Sequence, residues 1–406
     1  MTKQLRLFII PGFFVFLFAV IILFGITSKG YCGKVRGVTK DMIRMGGIFD
    51  LTGPAANYYI PMKKGLRSLL QFINDNGGIN GRTLKMQIED DRYSIPMAIS
   101  AFKKLVFRDG IISLMGASGT GGAVALLKSI EKEKLTTFPP STAESMVKPF
   151  RRYIFTIQDI YPNQMKVIID YIVRDLKAQG KKIAFVFPDN ESGRSDLVPG
   201  VERLKHYHME PIAKEVINPG SIEATSQVMN LKRIKADYIV LCGAISQTTI
   251  VLLRELKKFG LTVPVFASWA ACNEDVIRIS GDASSSYYAV SSMSSWYDEG
   301  PGIEKMREIT LKYEPGTEKP FRGKTYTYGW VLATVMLEGI KRAGKDIDGE
   351  SLVESIETMK SYDTGGLTGP IRFSSTNHKG GSTWKIFKAN PSNGQFIPMT
   401  DWRNPE

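Results

Sequence analysis

Histidine and cysteine are scarce in this chain, with three of each in 406 residues. So few thiols exclude a disulfide framework, which needs dense cysteines in even number. Cys242 ends an apolar run and Cys272 lies in a loop, so these two either pair in an oxidising compartment or stay as buried thiols. The histidines are dispersed: His206 and His208 straddle the end of a surface-like helix, and His378 lies in the polar turn 376–380. All three read as solvated side chains. That leaves no histidine base for a nucleophile and no ordinary metal site, so neither catalysis nor a cofactor is expected.

Acid is the minority charge. Against 53 Lys and Arg stand 40 Asp and Glu, a formal net charge of +13. The basic clusters are short (Lys103-Lys104, Lys181-Lys182, Lys232-Arg233, Lys257-Lys258) and fall near predicted helix ends, where cations suit the carbonyl end of the helix dipole. They read as a solvated surface that mildly favours anionic ligands. No helix-turn-helix, zinc-finger or RNP-like pattern is present, which argues against nucleic acid as a partner.

One long run, Leu7 to Ile26, is uncharged and almost wholly apolar, with Lys3 and Arg6 ahead of it. This is the pattern of an export signal, with Ser28 and Gly30 as small residues before a cleavage point, so residues 1–30 are expected to be a signal peptide or a membrane anchor. The run is long enough to span a bilayer, so tethering through residues 7–26 is the alternative. Pro11-Gly12 shortens the uninterrupted apolar helix and favours cleavage, and Tyr31 is large for a lipid-attachment signal at Cys32. Either way the body is expected outside the cytoplasm, in the periplasm.

Past this segment, short apolar runs alternate with amphipathic ones. Strands are predicted at 43–49, 84–88, 111–115, 183–187, 238–241 and 263–267, and helices near 61–75, 96–108, 122–133, 163–178, 195–206, 223–234 and 247–259. Such alternation indicates βαβ units and a parallel sheet covered by helices, an α/β fold. The chain exceeds one comfortable core, so two lobes are expected. A largely helical stretch, about 301–343 and 349–359, precedes short strands near 371–373 and 384–387, as if the chain returns to a lobe it had left.

The glycine-rich turn Leu114–Val124 (LMGASGTGGAV) invites a nucleotide reading and fails it. A P-loop needs Lys and Ser/Thr after its last glycine, where this chain has Gly122-Ala123. The dinucleotide pattern needs a third glycine where Val124 stands, and a hydrolase elbow needs glycine where Thr120 stands. A turn after a parallel strand still lies where α/β sheets bind ligands. Its N–H groups, with the hydroxyls of Ser118 and Thr120, suit a carboxylate as well as a phosphate. A second hydroxyl-bearing turn, Pro140-Ser141-Thr142, follows the next apolar run and completes a candidate anion cradle. The same hydroxyls would serve equally as helix caps. The acids Glu89-Asp90-Asp91 are expected to shape a turn and pair with Arg82 or Arg92.

In order and spacing, the series Ile48-Phe49-Asp50-Leu51-Thr52-Gly53-Pro54, Asn76-Gly77-Gly78-Ile79-Asn80-Gly81, Glu89-Asp90-Asp91 and the two hydroxyl turns resembles the type I periplasmic binding proteins of branched-chain amino acid ABC transporters. The likeness runs from about Asp41 to Trp402. It implies two Rossmann-like parallel-sheet lobes joined by three crossover segments and closing as a flytrap, with lobe one about 41–156 plus 291–362 and lobe two about 157–290 plus 363–402. It implies that the turns at Ser118, Gly119 and Thr120 and at Ser141 and Thr142 hold a carboxylate, that Tyr58 packs on the ligand, and that Tyr161, Ser192 and the turn around Ala244 line the cleft. Amino-acid binders of this type place an acid after the strand matching 263–267, to pair with the ligand ammonium. Here the residues are Ser268-Trp269-Ala270-Ala271-Cys272, with the first acid at Glu274. Trp269 would then stack on an apolar or aromatic group.

The implied function is an extracytoplasmic solute-binding protein of an ABC importer. Its ligand is a small carboxylate, either amino acid-like or an aromatic or branched organic acid lacking an amine. The expected partner is a membrane permease, and the expected state is a monomer. A ligand-sensing subunit that signals to a membrane partner is the alternative.

Overall fold

The computed structural model describes residues 35–316 and 322–406. The run 7–26, Ser28, Gly30 and Cys32 lie outside the described residues. Among the described residues no helix is long and apolar enough to cross a membrane.

Two sheets organise the chain. The first contains β1 (Met42–Phe49), β2 (Thr83–Asp90), β3 (Ser113–Met115) and β4 (Thr136–Phe138), all parallel, in the order β2-β1-β3-β4. The second contains β5 (Ile183–Phe187), β6 (Ala213–Val216), β7 (Tyr238–Leu241), β8 (Val265–Ala267), β9 (Tyr287–Ser291), β10 (Lys385–Asn390) and β11 (Gln395–Pro398). Its order is β11-β10-β9-β8-β7-β5-β6, with β10 and β11 antiparallel at one edge. The central strands β7 and β8 of the second sheet are apolar and buried along almost their whole length, as expected where helices cover both faces, and the short β3 and β4 are wholly buried.

Several helices begin earlier than their sequence pattern suggests, and two of these shifts matter most for the site. Helix α1 (Ala56–Asp75) runs through Pro61 rather than starting there. The Asp50 carboxylate accepts the N–H groups of Gly53 and Ala55, which winds the chain into a helix before the proline and sets Tyr58 and Tyr59 in its opening turns. Helix α2 (Ile95–Lys103) continues as a wider π-type turn over Lys104–Asp109. Helix α3 (Gly119–Lys132) starts inside the glycine-rich turn, so that turn is the first turn of the helix. Sequence pattern alone put this start near residue 122, because glycines weaken the helical signal.

After β4 the chain enters α4 (Tyr161–Asp170), which packs on α5 (Glu191–His206) beside the second sheet. After β9 it leaves that sheet again. Helices α9 (Pro301–Tyr313) and α10 (Lys324–Ala343) pack on α1, and α11 (Gly349–Glu357) packs on α10 and β4; α6 (Thr225–Arg233), α7 (Ser246–Lys258) and α8 (Glu274–Ser280) precede them beside the second sheet. The connecting segments lie side by side: Thr156 N–H donates to His378 O at 3.0 Å, Ser292 Oγ to Gln158 Oε1 at 2.9 Å, and Ser294 N–H to Leu367 O at 2.9 Å.

Several expectations change. The segment 371–373 is not a strand: Ile371 forms a single bridge with Tyr362, and Phe373 N–H turns to Met359 O. His378 is buried rather than solvated. Its ring stacks on Phe155 with centroids 3.7 Å apart, and Nε2 lies 3.0 Å from Glu357 Oε1. Arg82 does not reach the acidic cluster; it holds the carbonyls of Thr39 and Lys345 instead. Within the cluster, Glu89 pairs with Lys104 and Asp90 with Arg92. Cys242 and Cys272 are both buried and free.

Candidate functional site

Residues that follow the C-terminal ends of β1, β2, β3 and β4 of the first sheet and of β5, β7 and β8 of the second line a common cleft. On the first side, the turn after β3 is held by a buried acid. Ser118 N–H donates to Asp91 Oδ2 at 3.0 Å, and Gly119 N–H donates to the Tyr59 hydroxyl at 2.7 Å. Burial raises the Asp91 pKa, against the lowering effect of its hydrogen bonds from Ser118 and Tyr93. These two N–H groups, expected to face a ligand, are therefore taken up by protein atoms. Glycine is required at 119, where φ is +64° and a Cβ would lie 2.7 Å from the Tyr93 ring. Ser118 is the N-cap residue of α3 yet makes no side-chain capping bond.

Thr120, one position further on, does face inward. Its Oγ1 lies 3.0 Å from the Tyr161 hydroxyl, and Ser141 Oγ lies 3.1 Å from Thr120 Oγ1 and 3.4 Å from the Tyr161 hydroxyl. Three hydroxyls from three elements thus converge. Tyr161 is anchored by its own N–H, which donates to Thr142 O at 3.0 Å. Thr142 contributes that carbonyl and not its side chain, which is wholly buried with Oγ1 unpartnered among the described residues. Burial raises the pKa of Tyr58, Tyr59 and Tyr161, so each remains a neutral hydroxyl able to donate.

The far side is built around a second buried acid, Asp196. Its Oδ2 accepts Gly243 N–H at 2.7 Å and its Oδ1 accepts the Gln164 side-chain amide at 2.7 Å. The Gln164 carbonyl oxygen accepts Trp269 N–H at 3.1 Å, so one carboxylate and one amide tie together α4, α5 and the turns after β7 and β8. Burial pushes the Asp196 pKa up to about 7. Ser192 Oγ donates to Gly243 O at 3.2 Å. Gly243 has φ +56°, and a Cβ there would lie 2.4 Å from Ser192 O. Ala244 corrects the expectation for this turn. Its side chain packs into the core behind the sheet, while Gly243 and Ile245 on either side line the cleft.

Aromatic rings close the remaining wall. Trp269 stacks on Tyr328 of α10, with centroids 5.1 Å apart, and meets Tyr58 edge-on at 5.7 Å. Tyr59 and Tyr93 also line the cleft beside Gly119, Thr120, Ser141, Tyr161, Ser192 and Trp269. The space left between these side chains is only about 20 Å³. That is room for little more than one water, so a larger ligand enters only as the walls move apart. Larger hollows lie elsewhere, one of about 620 Å³ beside Trp330 and Leu337 and one of about 490 Å³ beside Lys166 and Lys379. Neither touches the glycine-rich turn.

The match to known proteins covers almost all of the described body. A model of the family described as periplasmic binding protein matches residues 42–395. The chain belongs to the periplasmic binding protein family. It is 23% identical over 348 residues to the Leu/Ile/Val-binding protein homolog 3 of Brucella melitensis, covering 85% of this chain and 91% of that one. Its fold is similar to that of a branched-chain amino acid ABC transporter protein from Thermus thermophilus with bound valine, with TM-score 0.83 and 22% identity, covering 91% of this chain and 97% of that one. It is also similar to a fatty acid ABC transporter substrate-binding protein from Thermomonospora curvata, with TM-score 0.81 and 20% identity, covering 92% and 95%.

In this periplasmic binding protein the sequence reading missed Tyr59 and Tyr93 as wall residues, Tyr328 as the ring stacked on Trp269, and Asp196 and Gln164 as the supports of Gly243 and Trp269. Tyr59 adjoins Tyr58 on the same helix turn, but an expected helix start at Pro61 left both without a defined facing. Tyr328 reaches Trp269 from a helix remote in sequence, and no local pattern announces that contact. Glu274, the first acid after Trp269, is wholly buried. Its carboxylate accepts Lys324 N–H at 2.8 Å and Ser295 Oγ at 2.9 Å.

Proposed function

We propose that this protein captures a small carboxylate-bearing ligand between two lobes and hands it to the membrane permease of an ABC importer. Lobe one comprises about 41–156 plus 291–362, and lobe two about 157–290 plus 363–402. The protein works outside the cytoplasm as a monomer, and it binds its ligand without transforming it.

The observation that carries this reading is the hydroxyl cluster of Thr120, Ser141 and Tyr161. The three hydroxyls lie within 3.0–3.4 Å of one another, and by the proposed lobe division Thr120 and Ser141 belong to lobe one and Tyr161 to lobe two. A carboxylate entering the cluster would accept hydrogen bonds from both lobes at once and so favour their closed arrangement. Charge-assisted bonds of this type contribute about 1.5–3 kcal/mol each. The ligands named for structural neighbours, valine in one and a fatty acid in another, differ in size and charge but share a carboxylate. The adjacent connecting segments, joined through Thr156, Gln158, Ser292 and His378, supply a hinge about which such lobes would turn.

Calorimetric titration of a panel of small acids against the wild type and the Thr120→Ala, Ser141→Ala double variant tests the cradle. Equal affinity in the two forms would overturn it. The uncharged run 7–26 supports a second reading, a tethered sensor that signals to a membrane partner. Mass spectrometry showing an intact N-terminus in membrane fractions would favour that reading over a released transport protein.

A further inference from the structure

Every acid near the cleft already has partners. Asp50 holds Gly53 and Ala55, and Asp91 holds the N–H groups of Ser118 and Tyr93. Asp196 holds Gly243 and Gln164, while Glu274 holds Ser295 and Lys324. Among the described residues, no carboxylate lines the cavity itself. A primary ammonium brought there would lose its water and meet no counter-charge, and burying an unpaired charge is strongly unfavourable.

The polar atoms that do lack partners point the other way. Tyr58 OH, Trp269 Nε1 and Tyr328 OH are buried with no hydrogen-bond partner among the described residues. Their rings form one cluster, with Trp269 between Tyr58 and Tyr328. An indole N–H can only donate, and a buried neutral phenol donates readily. Native folds seldom leave three such groups idle side by side. Tyr58 and Trp269 line the cavity, and Tyr328 stands against Trp269. A ligand oxygen that accepts hydrogen bonds, carried on a planar or apolar body, would satisfy the first two while the rings cover the rest.

We propose that the ligand is an amine-free carboxylic acid whose aromatic or apolar body carries an acceptor oxygen directed at Trp269 and Tyr58. This deepens the carboxylate reading above and rests on it: the hydroxyl cluster takes the carboxylate, and the aromatic cluster takes the far end.

Calorimetry on the whole exported chain, with matched pairs of probes, tests the two halves separately. L-Leucine is compared with 4-methyl-2-oxopentanoate, and L-phenylalanine with 3-phenylpropanoate. In each pair the amine-free acid is expected to bind at least about tenfold tighter, since a site built without a counter-charge rejects the extra ammonium. The acceptor is tested by 4-methoxyphenylacetate against 4-ethylphenylacetate. The methoxy compound should bind about fivefold to tenfold tighter, and Trp269→Phe or Tyr58→Phe should reduce that preference to near unity. Tyr58→Phe keeps the ring and Trp269→Phe keeps a smaller aromatic one, and thermal melting checks that the fold survives. Ala270→Asp, which places an acid in the cavity wall, should move the amine-free preference about tenfold toward the amino acids.

Amino acids binding as well as their amine-free partners would overturn this inference and leave the carboxylate reading standing. A methoxy preference that survives both aromatic variants would overturn its acceptor half. Amine-free acids bound equally by the wild type and by the Thr120→Ala, Ser141→Ala variant would overturn the carboxylate cradle instead. No binding by any member of the panel would overturn both.

Discussion

On one side of the cleft Asp91 accepts the N–H of Ser118, and on the other Asp196 accepts the N–H of Gly243. Each acid is buried, each has its pKa raised by that burial, and each fixes a glycine-containing turn at the end of a parallel strand. The turns nevertheless do different work. The first presents Thr120 to Ser141 and Tyr161, so it offers hydroxyls. The second presents Gly243 and Ile245 and tucks Ala244 into the core, so it offers shape. A shared way of anchoring a turn therefore does not imply a shared role. Which side chain follows the glycine, and where helix geometry points it, decides that.

The largest expected effect falls on the shape-giving turn. Gly243→Ala should lower stability by about 3 kcal/mol or more, because φ is +56° and the new Cβ meets the Ser192 carbonyl. Urea denaturation measures it, and a loss under about 1 kcal/mol would show that this turn is free to shift. The hydroxyl turn should show its loss in binding instead. The Thr120→Ala, Ser141→Ala variant should weaken carboxylate binding about 100-fold with little change in melting temperature, from two charge-assisted bonds. A large fall in stability with unchanged affinity would reverse the roles assigned to the two turns.

The two acids can be separated by pH. With its pKa raised from 3.8 to about 7, Asp196 keeps a proton in the folded state that the unfolded chain has released. Its contribution to stability is therefore fully present below about pH 4 and declines as pH rises toward 7, above which it changes no further. Asp196→Asn should flatten this part of the stability profile relative to the wild type in urea titrations at pH 4.5 and 7.5. An unchanged slope would mean that Asp196 titrates near its ordinary value. The smallest effect is expected at Gly121→Ala, within about 0.5–1 kcal/mol of the wild type and in the stabilising direction. Its Cβ would meet only the flexible Ile95 side chain, at 3.2 Å, inside an ordinary helical turn.

Strand positions were legible from short apolar runs, because a strand buried on both faces must be apolar throughout. The reading was least accurate where tertiary contacts override local pattern. Asp50 starts α1 ahead of Pro61, β4 and β6 are too short or too polar to stand out, and residues 371–373 join the connecting segments rather than a sheet. At the site, Thr120, Ser141, Tyr161, Ser192 and Trp269 do converge on one cavity. Ser118, Thr142 and Ala244 lie just behind it, because neighbouring positions on a tight turn face opposite ways.

The alternation of apolar runs and helices, the two hydroxyl-bearing turns and the lack of an acid beside Trp269 are properties of the sequence alone. They determine the α/β class, and with the family resemblance they set the expectation of an anion cradle and of a ligand without an ammonium. Only the tertiary structure decides which acids are already engaged, which N–H groups Asp91 and Tyr59 have taken, and that Tyr328 backs Trp269. The reason is physical. Composition and periodicity report what each residue prefers, whereas partnership depends on which groups distant segments bring within about 3 Å of one another.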